Sequence, residues 1–589
     1  MKNYNYLIIY SLFILFSTTT AIQAHHDCFF STEKALISDV DTFPKNYFRS
    51  PLGIPLVLAG TFGELRSNHF HSGIDIKTQG KSGLNIYGVA DGWVSRIRSS
   101  PGGYGKALYI THPNGYTTVY GHLSEFSDTI GEYLKKFQYE YESFEIDIEL
   151  EPNTIKIKKG EIVAKSGNSG GSSAPHLHYE IRDTKTEHAL NPLLFGIKVK
   201  DTRKPVVEEV AIYGLGEKEY IMSTRHKYKC QLKGKVHKLA EDTLKFNAKN
   251  IGVSLKTYDR QDAASNKNGV YTIEMKVDSV LTYEFKMKSF SFFETRYLNA
   301  HVDYKERINN KSWYNKCFIE PANKLNNYPN IKGKGIIDLS DKQTHLIELK
   351  STDVAGNISE VKFWVKQDNT GKSFGNPPNC TQMLYHDLPQ EFTNDDNSII
   401  IKFPENGFYN DVFFQYEKQP NKNKYGATHV VHEPNTAVHK AFKLSIKSEN
   451  IPELLLPKAV IVQDTKKGVK ALVTKEVVGQ YIKSASREFG TFYIDVDSIA
   501  PTIKPLYDYN NKNLKKYGRL RFKIEDELSG INTYKGYIDN KWVLVEYDAK
   551  NNLLIHYFEK DLKAGKHEFE LKVSDHVNNE KIYKFTFTR

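Results

Sequence analysis

A few histidines and one aspartate in the first third of the chain have the types and spacing that metal chemistry requires. His71 and Asp75 stand four residues apart, and Gly73 between them permits a bend that lets an imidazole and a carboxylate converge. His176 and His178 stand two residues apart, so on a strand both imidazoles point to the same face. Two histidines and one carboxylate, with a fourth position left to water, form the ligand set of a catalytic zinc.

A third short block, Tyr120-Gly-His-Leu123, supplies a further imidazole, His122. The chain has 20 histidines, and a lone His-x-His pair on a strand is more often structural than metal-binding. The metal interpretation is favoured because His71, Asp75 and His122 occupy the other short apolar blocks of the same segment. His69 is an alternative first ligand, but His71 has the better spacing to Asp75.

These blocks also carry a family resemblance. The runs HSGIDIKT, VADGWVSRI, YGKALYITHPNGYTTVYGHL and SGNSGGSSAPHLHYEIR closely resemble the lysostaphin-like (LytM-type) zinc metallopeptidases. The resemblance extends over about residues 50–197 and implies an antiparallel sheet with an open groove.

The resemblance also implies a role for each candidate residue. It makes His71, Asp75 and His178 the ligands of one zinc ion per chain. It makes His122 and His176 the catalytic pair beside the metal, which positions the attacking water, takes its proton and stabilises the oxyanion. Since all five positions are intact, we expect an active enzyme and not a degenerate regulator.

The function implied by the resemblance is that of an exported zinc metalloendopeptidase. Such an enzyme is a peptidoglycan hydrolase, which cuts peptide bonds in the cross-bridges or stem peptides of the bacterial cell wall. One alternative is a non-catalytic scaffold that keeps its metal, binds the wall and activates other wall hydrolases. A second is a peptidase acting on proteins or on foreign cell walls.

The charge and the N-terminus bear on partners and compartment. With 81 Lys+Arg against 70 Asp+Glu, the excess of +11 is spread along the chain and forms no nucleic-acid-binding arm. Residues 1–24 have the pattern of a signal peptide: Lys2, an apolar core over residues 7–16, and the small-residue exit Ala21-Ile-Gln-Ala24. We expect export to the periplasm or cell envelope of a bacterium, without stable membrane insertion after cleavage; an uncleaved anchor is the alternative.

The four cysteines, Cys28, Cys230, Cys317 and Cys380, are too sparse for a disulfide scaffold and have no zinc-ribbon spacing. Pairing of Cys230 with Cys317 and isolated core cysteines both remain open.

The predicted fold class is all-β. Short strand patterns alternate with turns, and Asn114-Gly115 between two β-rich runs is a strong hairpin signal. We assign residues 25–198 to the peptidase domain, with an insertion at about 125–158 that begins with a helical pattern. This insertion is interpreted as lying at the rim of the groove, where it either shapes substrate access or is a solvated excursion.

The rest of the chain has no comparable catalytic pattern but contains an internal repeat. Asp201-Thr-Arg-Lys-Pro205 and Asp353-Val-Ala-Gly-Asn357 are echoed by Asp497-Ser-Ile-Ala-Pro501 and Asp575-His-Val-Asn-Asn579. The repeat predicts two related β-sandwiches at 199–370 and 497–589, similar to immunoglobulin-like modules, around a β-rich module at 371–496. Wall binding, adhesion and a lid over the groove are all open roles for them.

Two further patterns are given no catalytic role. Gly167-Asn-Ser-Gly-Gly171 fits the serine-hydrolase motif G-x-S-x-G, but that motif needs a following helix, and here a strand pattern follows. This loop is instead expected to border the groove. His429, His432 and His439 are loosely spaced without a carboxylate pattern, so we expect ordinary histidines there.

Overall fold

The computed structural model describes residues 43–589 except 217–219, 422–423, 466–467 and 474–475. The predicted signal peptide and Cys28 lie outside these residues. The chain divides into two compact units, Met1–Phe43 and Pro44–Arg589, and the fold below is that of the second. The structure is 48% strand and 8% helix, so the all-β prediction is confirmed. No helix in the described part is long and apolar enough to cross a membrane.

The described part of the predicted peptidase domain, residues 44–198, is hereafter the peptidase region. It is built on one large antiparallel sheet, in the strand order β1-β4-β13-β8-β7-β6-β10, with a small sheet β5-β12-β9 beside it. Its elements are β1 (Leu58–Gly60), β2 (Leu65–Arg66), β3 (His69–Phe70), β4 (Ile74–Lys77), β5 (Asn85–Tyr87), β6 (Gly92–Ser99), β7 (Lys106–Thr111), β8 (Tyr116–Leu123), β9 (Glu125–Phe126), α1 (Asp128–Glu140), β10 (Ile146–Glu149), β11 (Lys156–Ile157), β12 (Ile162–Lys165), β13 (His176–Asp183), β14 (Ala189–Leu190) and a 3-10 helix (Pro192–Phe195). Strand β13 lies between β4 and β8, and all of its residues except the first and the last are buried, on both faces of the sheet. Side chains on this strand are therefore shielded from water.

The predicted insertion is packed structure and not a solvated excursion. Its helix α1 buries Ile130, Leu134 and Gln138. Strands β10 and β11 both pair with β6, at the edge of the sheet away from β4 and β13. The insertion thus widens the sheet on the side remote from the predicted metal ligands.

The first module after the peptidase region is a sandwich of two sheets, β16-β15-β19-β23 with β25, and β17-β18-β27-β26-β20-β21-β24. Its elements are β15 (Val206–Leu215), β16 (Ile221–Lys229), β17 (Gln231–Lys233), β18 (Val236–Phe246), β19 (Asn250–Tyr258), β20 (Thr272–Val277), β21 (Val280–Lys286), β22 (Ser289–Phe290), a 3-10 helix (Thr295–Tyr297), α2 (Leu298–His301), α3 (Tyr304–Asn310), β23 (Asn315–Lys316), β24 (Asn330–Ile331), a 3-10 helix (Gly333–Gly335), β25 (Ile337–Asp338), β26 (Thr344–Thr352) and β27 (Ile358–Gln367). Phe62 and Phe70 of the peptidase region belong to the same apolar core as this sandwich, and β14 pairs with β22. The two regions therefore pack as one body.

The second module has two five-stranded sheets, β29-β30-β34-β38-β37 and β32-β33-β39-β35-β36, and a short pair β28-β31. Its elements are β28 (Gln382–Leu384), β29 (Gln390–Thr393), β30 (Ile399–Phe403), β31 (Val412–Phe414), β32 (Tyr416–Gln419), β33 (Thr428–Val431), β34 (Phe442–Lys447), a 3-10 helix (Glu453–Lys458), β35 (Ala459–Thr465), β36 (Gly468–Leu472), β37 (Glu476–Val478), β38 (Tyr481–Ser486) and β39 (Gly490–Val496). The apolar faces of the two larger sheets enclose a core rich in phenylalanine.

The last module is a smaller sandwich of the sheets β40-β42-β46-β45 and β41-β48-β47-β43-β44. Its elements are β40 (Thr502–Pro505), β41 (Lys512–Asn513), β42 (Arg519–Glu525), β43 (Ile531–Ile538), β44 (Lys541–Val543), β45 (Glu546–Asp548), a 3-10 helix (Ala549–Asn551), β46 (Leu553–Tyr557), β47 (Lys566–Asp575) and β48 (Glu580–Thr588). Burial alternates along β47, as expected for a strand with one face on the core.

Three of the cysteines, Cys230, Cys317 and Cys380, lie in the described part of the chain, and all three are free. The pairing of Cys230 with Cys317, one of the two open alternatives, is therefore not formed in this structure.

Candidate metal centre

The strand register brings the predicted metal ligands together. On β13 His178 lies directly opposite Asp75 of β4 and opposite Gly121 of β8. Gly73 allows the segment before β4 to approach closely, because a Cβ there would collide with the carbonyl oxygen of Tyr179. Because glycine has no side chain, the backbone can come this close, and His71 reaches the same point.

Three ligand atoms converge at this point. His71 Nε2 lies 3.0 Å and His178 Nδ1 lies 2.9 Å from Asp75 Oδ1, and the two ring nitrogens are 3.0 Å apart. All three residues are buried. Two imidazole nitrogens and one carboxylate oxygen directed at one point fit the donor set of a Zn²⁺ ion with one position left for water.

The remaining nitrogen of each ligand ring is held by a neighbour. His71 Nδ1 donates to the carbonyl oxygen of Thr61 at 2.8 Å, and His178 Nε2 donates to Glu180 Oε1 at 2.8 Å. These bonds fix which ring nitrogen carries the proton, so His71 Nε2 and His178 Nδ1 keep their lone pairs for a metal.

Glu180 is the centre of a buried network that sequence reasoning missed. Its carboxylate is fully buried and accepts hydrogen bonds from Ser72 and Tyr104, both at 2.5 Å, and from Arg182 Nε at 2.7 Å. Burial alone raises the pKa of Glu180, but Arg182 and His178 outweigh this and hold the pKa well below its usual range. The sequence did contain a signal for Glu180, because positions 176, 178 and 180 lie on the same face of a strand.

Arg66 is a second residue without a role in the sequence interpretation. Its Nη2 donates to Asp75 Oδ2 at 2.5 Å. Since this bond occupies one carboxylate oxygen, Asp75 directs the other oxygen, Oδ1, at the two histidines.

The two predicted catalytic histidines lie beside the ligand group, and each is held through its Nδ1. His122 Nδ1 donates to the carbonyl oxygen of Ser169 at 2.9 Å, and His176 Nδ1 donates to that of Ala174 at 2.8 Å. Their ring centroids are 4.8 Å apart, and His176 Nε2 lies 3.4 Å from Asp75 Oδ1. Burial, together with His178 and His176, lowers the pKa of His122 to about 3. The neutral ring of His122 therefore offers its Nε2 as a proton acceptor.

The glycine- and serine-rich loop positions His122. Ser169 Oγ donates to the Leu123 carbonyl at 2.7 Å and accepts from Lys106 N at 3.0 Å, so this hydroxyl anchors the loop. The element that follows the loop is the strand β13, and the helix of a serine-hydrolase elbow is missing. His122 itself has φ +59°, a left-handed conformation that non-glycine residues adopt at a cost.

Both flanking modules reach this part of the peptidase region. In the first module, Thr295 Oγ1 accepts from Phe70 N at 2.7 Å, next to His71. In the last module, Lys550 contacts the carbonyl oxygens of Asn168 and Gly170 in the loop that holds His122. The last module also packs against α1, where the rings of Tyr139 and Trp542 meet edge to face with centroids 5.1 Å apart. The modules thus brace the loops around the candidate site.

Neither His69 nor the three loosely spaced histidines of the second module belong to the metal-ligand group. His69 is exposed, and its Nδ1 contacts the carbonyl oxygen of Ser67 at 2.8 Å. Among the described residues, the groups suited to a metal include none of His429, His432 or His439.

We expect a His69→Ala variant to keep its zinc and a His71→Ala variant to lose it, because only His71 joins the buried ligand group. The measurement is the metal content of each purified variant after dialysis. Zinc loss from the His69 variant with retention by the His71 variant would reverse this assignment.

Parts of this chain are similar to known proteins. Residues 69–139 match peptidase family M23, and residues 381–497 match a Zu5-like domain. An uncharacterised metalloprotease of Haemophilus influenzae is 30% identical over 159 residues, 26% of this chain and 28% of that protein. The DD-carboxypeptidase/endopeptidase Mpg of Neisseria meningitidis is 32% identical over 118 residues, 20% of this chain and 21% of that protein. The chain therefore spans well under a third of the length of these relatives.

Part of this chain is also similar to two solved catalytic domains. The catalytic domain of the prophage-encoded M23 protein EnpA of Enterococcus faecalis is 27% identical, with 25% of this chain and 98% of that chain covered at a TM-score of 0.19. The catalytic domain of lysostaphin from Staphylococcus simulans is 20% identical, with 24% of this chain and 91% of that chain covered at a TM-score of 0.18.

The family match and the names of the curated relatives indicate one class, the metallopeptidases. More particularly, residues 69–139 belong to peptidase family M23, the LytM-type peptidases.

Proposed function

We propose that this protein is an exported zinc-dependent endopeptidase that hydrolyses peptide bonds in peptidoglycan cross-bridges or stem peptides. The observation that carries the proposal is the convergence of His71, Asp75 and His178 on one buried point beside His122 and His176, whose Nδ1 atoms are both held by backbone carbonyl oxygens. A binding module has no need of two imidazoles held by the backbone beside a metal-ligand group.

In this proposal each residue of the centre has a defined task. His71 Nε2, Asp75 Oδ1 and His178 Nδ1 hold one zinc ion, which when bound lowers the pKa of water and polarises a scissile carbonyl. The Nε2 of His122 or His176 accepts the proton of the attacking water and returns it to the leaving amine. The protonated ring then also donates to the developing oxyanion.

The substrate class rests on similarity and charge. The Neisseria meningitidis relative is named a DD-carboxypeptidase/endopeptidase, and it matches 20% of this chain. The formal charge of +11 suits a polyanionic partner such as a bacterial cell wall. Export is inferred from the signal-like pattern of residues 1–24.

The test measures zinc content and the release of soluble peptide fragments from purified peptidoglycan, for the parent chain and for His178→Ala. We expect one zinc per parent chain, fragment release by the parent, and loss of both in the variant. The His69→Ala variant is the matched control and should behave as the parent.

The identity of the released fragments then reveals which bond is cut. Zinc binding without release from peptidoglycan contradicts the proposed activity and favours the scaffold. A parent chain without zinc contradicts the metal centre itself.

A further inference from the structure

Two clusters of three aspartates occupy equivalent places in the first and last modules. Asp201, Asp259 and Asp353 bring one oxygen each within 4.8 Å of one another, and so do Asp497, Asp526 and Asp575. In each cluster the first aspartate lies on the segment that enters the module, just before β15 or β40. The second aspartate directly follows a core strand, and the third lies in the last hairpin of the module.

The same asparagine contact ties each cluster together. Asn357 Nδ2 donates to Asp353 Oδ2 at 2.8 Å and contacts the Asp201 carbonyl at 3.5 Å. Its counterpart Asn579 donates from Nδ2 to Asp575 Oδ2 at 2.6 Å and to the Asp497 carbonyl at 2.9 Å. The repetition of one arrangement in two modules shows that the clusters are built and not accidental surface acids.

No protein cation among the described residues is in direct contact with these carboxylates. Burial raises the pKa of Asp201 and Asp259, and the Arg203 guanidinium opposes this only through its charge from a distance. Asp259, Asp353, Asp497 and Asp575 are each 3% exposed or less. Within the described ranges, no lysine or arginine nitrogen lies within 4.0 Å of any of the six carboxylates; Arg203, on the segment entering the first module, contacts the Ala264 carbonyl instead. Buried carboxylates without a cation are strongly disfavoured unless a metal or a proton neutralises them.

The first cluster also holds polar groups with no hydrogen-bond partner. Asp259 Oδ1 is buried and unpartnered, and so are both amide atoms of Asn268, whose residue is 2% exposed. Asn268 lies directly opposite Asp259 in an antiparallel bridge with two backbone bonds of 2.9 Å, so both side chains project to the same face. A buried amide without a partner, on the same face as the unpartnered carboxylate of Asp259, is the arrangement a cation would satisfy.

A cavity of about 140 Å³ lies at the first cluster, between the peptidase region and the first module. It is lined by all three aspartates and, from the peptidase region, by Thr61, whose Oγ1 is also buried and unpartnered. A cation with bound water fits this volume.

The second cluster shows the same signs. Asp526 Oδ1 and Ser529 Oγ are buried without a partner, and Ser529 is 7% exposed. The backbone N–H of Ser529 donates to Asp497 Oδ2 at 2.9 Å, which places this residue beside the cluster.

We propose that each cluster binds one Ca²⁺ ion, which fixes the segment entering the module to the end of its sandwich. Carboxylate, amide and hydroxyl oxygens are the ligands of hard cations. Ca²⁺ is favoured over Mg²⁺ because it accepts six to eight oxygens in irregular geometry, as loops and hairpin ends supply. Burial and mutual repulsion raise the pKa of Asp259 to about 7, in keeping with a site built for a cation.

The first site has a consequence for the candidate metal centre. The carbonyl oxygen of Thr61 holds His71 Nδ1, while the side chain of Thr61 lines the calcium cavity. Calcium at this position therefore stabilises Thr61, the residue that orients the first zinc ligand, His71.

The test counts Ca²⁺ bound by the full-length, zinc-loaded protein in equilibrium dialysis with radioactive calcium in excess Mg²⁺. We expect two ions per parent chain, one for Asp259→Asn, one for Asp526→Asn and none for the double variant. Asp242→Asn, at an exposed position of the first module, is the matched control and should bind two.

Thermal unfolding shows whether each variant still folds. In calcium-free buffer the Asp→Asn variants should melt no lower than the parent, since one of three crowded carboxylates is removed. Added Ca²⁺ should raise the melting temperature of the parent more than that of each variant.

A parent that binds no Ca²⁺, or variants that still bind two ions, would overturn the proposal, and displacement of Ca²⁺ by Mg²⁺ would overturn the choice of ion. Loss of an ion in only one of the two single variants would overturn the equivalence of the clusters. None of these readouts uses peptidase activity, so they stand apart from the test of the proposed function.

Discussion

Replacing His122 by asparagine is expected to leave zinc bound and to slow peptide-bond hydrolysis by about 10²–10⁴-fold, the usual contribution of a general acid–base group. His122 lies outside the ligand group, so the zinc content should not change. Asparagine is the suitable replacement because the backbone at this position has φ +59°, a conformation that asparagine tolerates better than most residues.

The measurement is the initial rate of peptide release from purified peptidoglycan, with metal content determined on the same samples. His69→Ala serves as the control because its ring is exposed and lies outside the ligand group. A His122→Asn enzyme with the parental rate would show that His122 takes no part in proton transfer. Loss of zinc from this variant would instead make His122 a ligand.

The second large effect is expected at Glu180. Removing this side chain in Glu180→Ala leaves the buried guanidinium of Arg182 and the Nε2–H of His178 without their acceptor. Loss of one partner from a buried ion pair costs about 3–5 kcal/mol of folding free energy. Loss of the group that orients a metal-bound histidine weakens metal binding by about 10–100-fold.

Both effects are measured directly, by denaturant unfolding of the zinc-free protein and by competition for zinc with a chelator of known affinity. Glu187→Ala is the matched control, since Glu187 also lies near Arg182, at 3.9 Å, but its side chain is 69% exposed. We expect this control to change stability by less than about 1 kcal/mol. Equal stability of the two variants would contradict a structural role for Glu180.

The fold class followed from the sequence because strand periodicity and turn chemistry are local properties. The Asn114-Gly115 turn joins β7 to β8, as the hairpin signal predicts. The helical start of the insertion also forms, as α1. What the insertion packs against was not readable, since its contacts to β6 and to the last module join residues far apart in the chain.

The candidate metal ligands could be predicted from the sequence for a related reason. His71 and Asp75, and likewise His176 and His178, lie close together in sequence, and their spacing matches a known peptidase family. Choosing His71 over His69 required only the four-residue spacing, and the structure places His71 in the ligand group.

The surrounding support was decided by the tertiary structure. Thr61, Arg66 and the Ser169 carbonyl each bond to one of these residues from another segment, so no local pattern reveals them. Glu180 was visible as the third residue on one strand face, but its importance depends on burial, which only packing sets.

The aspartate repeats show the same division. The sequence by itself determined that the two sandwiches share a motif, because Asp201 and Asp353 recur as Asp497 and Asp575 at matching places. Only the tertiary structure decided that these carboxylates meet, together with Asp259 and Asp526, in clusters that no lysine or arginine of the described residues pairs with directly. The physical reason is that sequence spacing fixes which face of a strand a side chain takes, whereas charge compensation depends on residues brought together from distant segments.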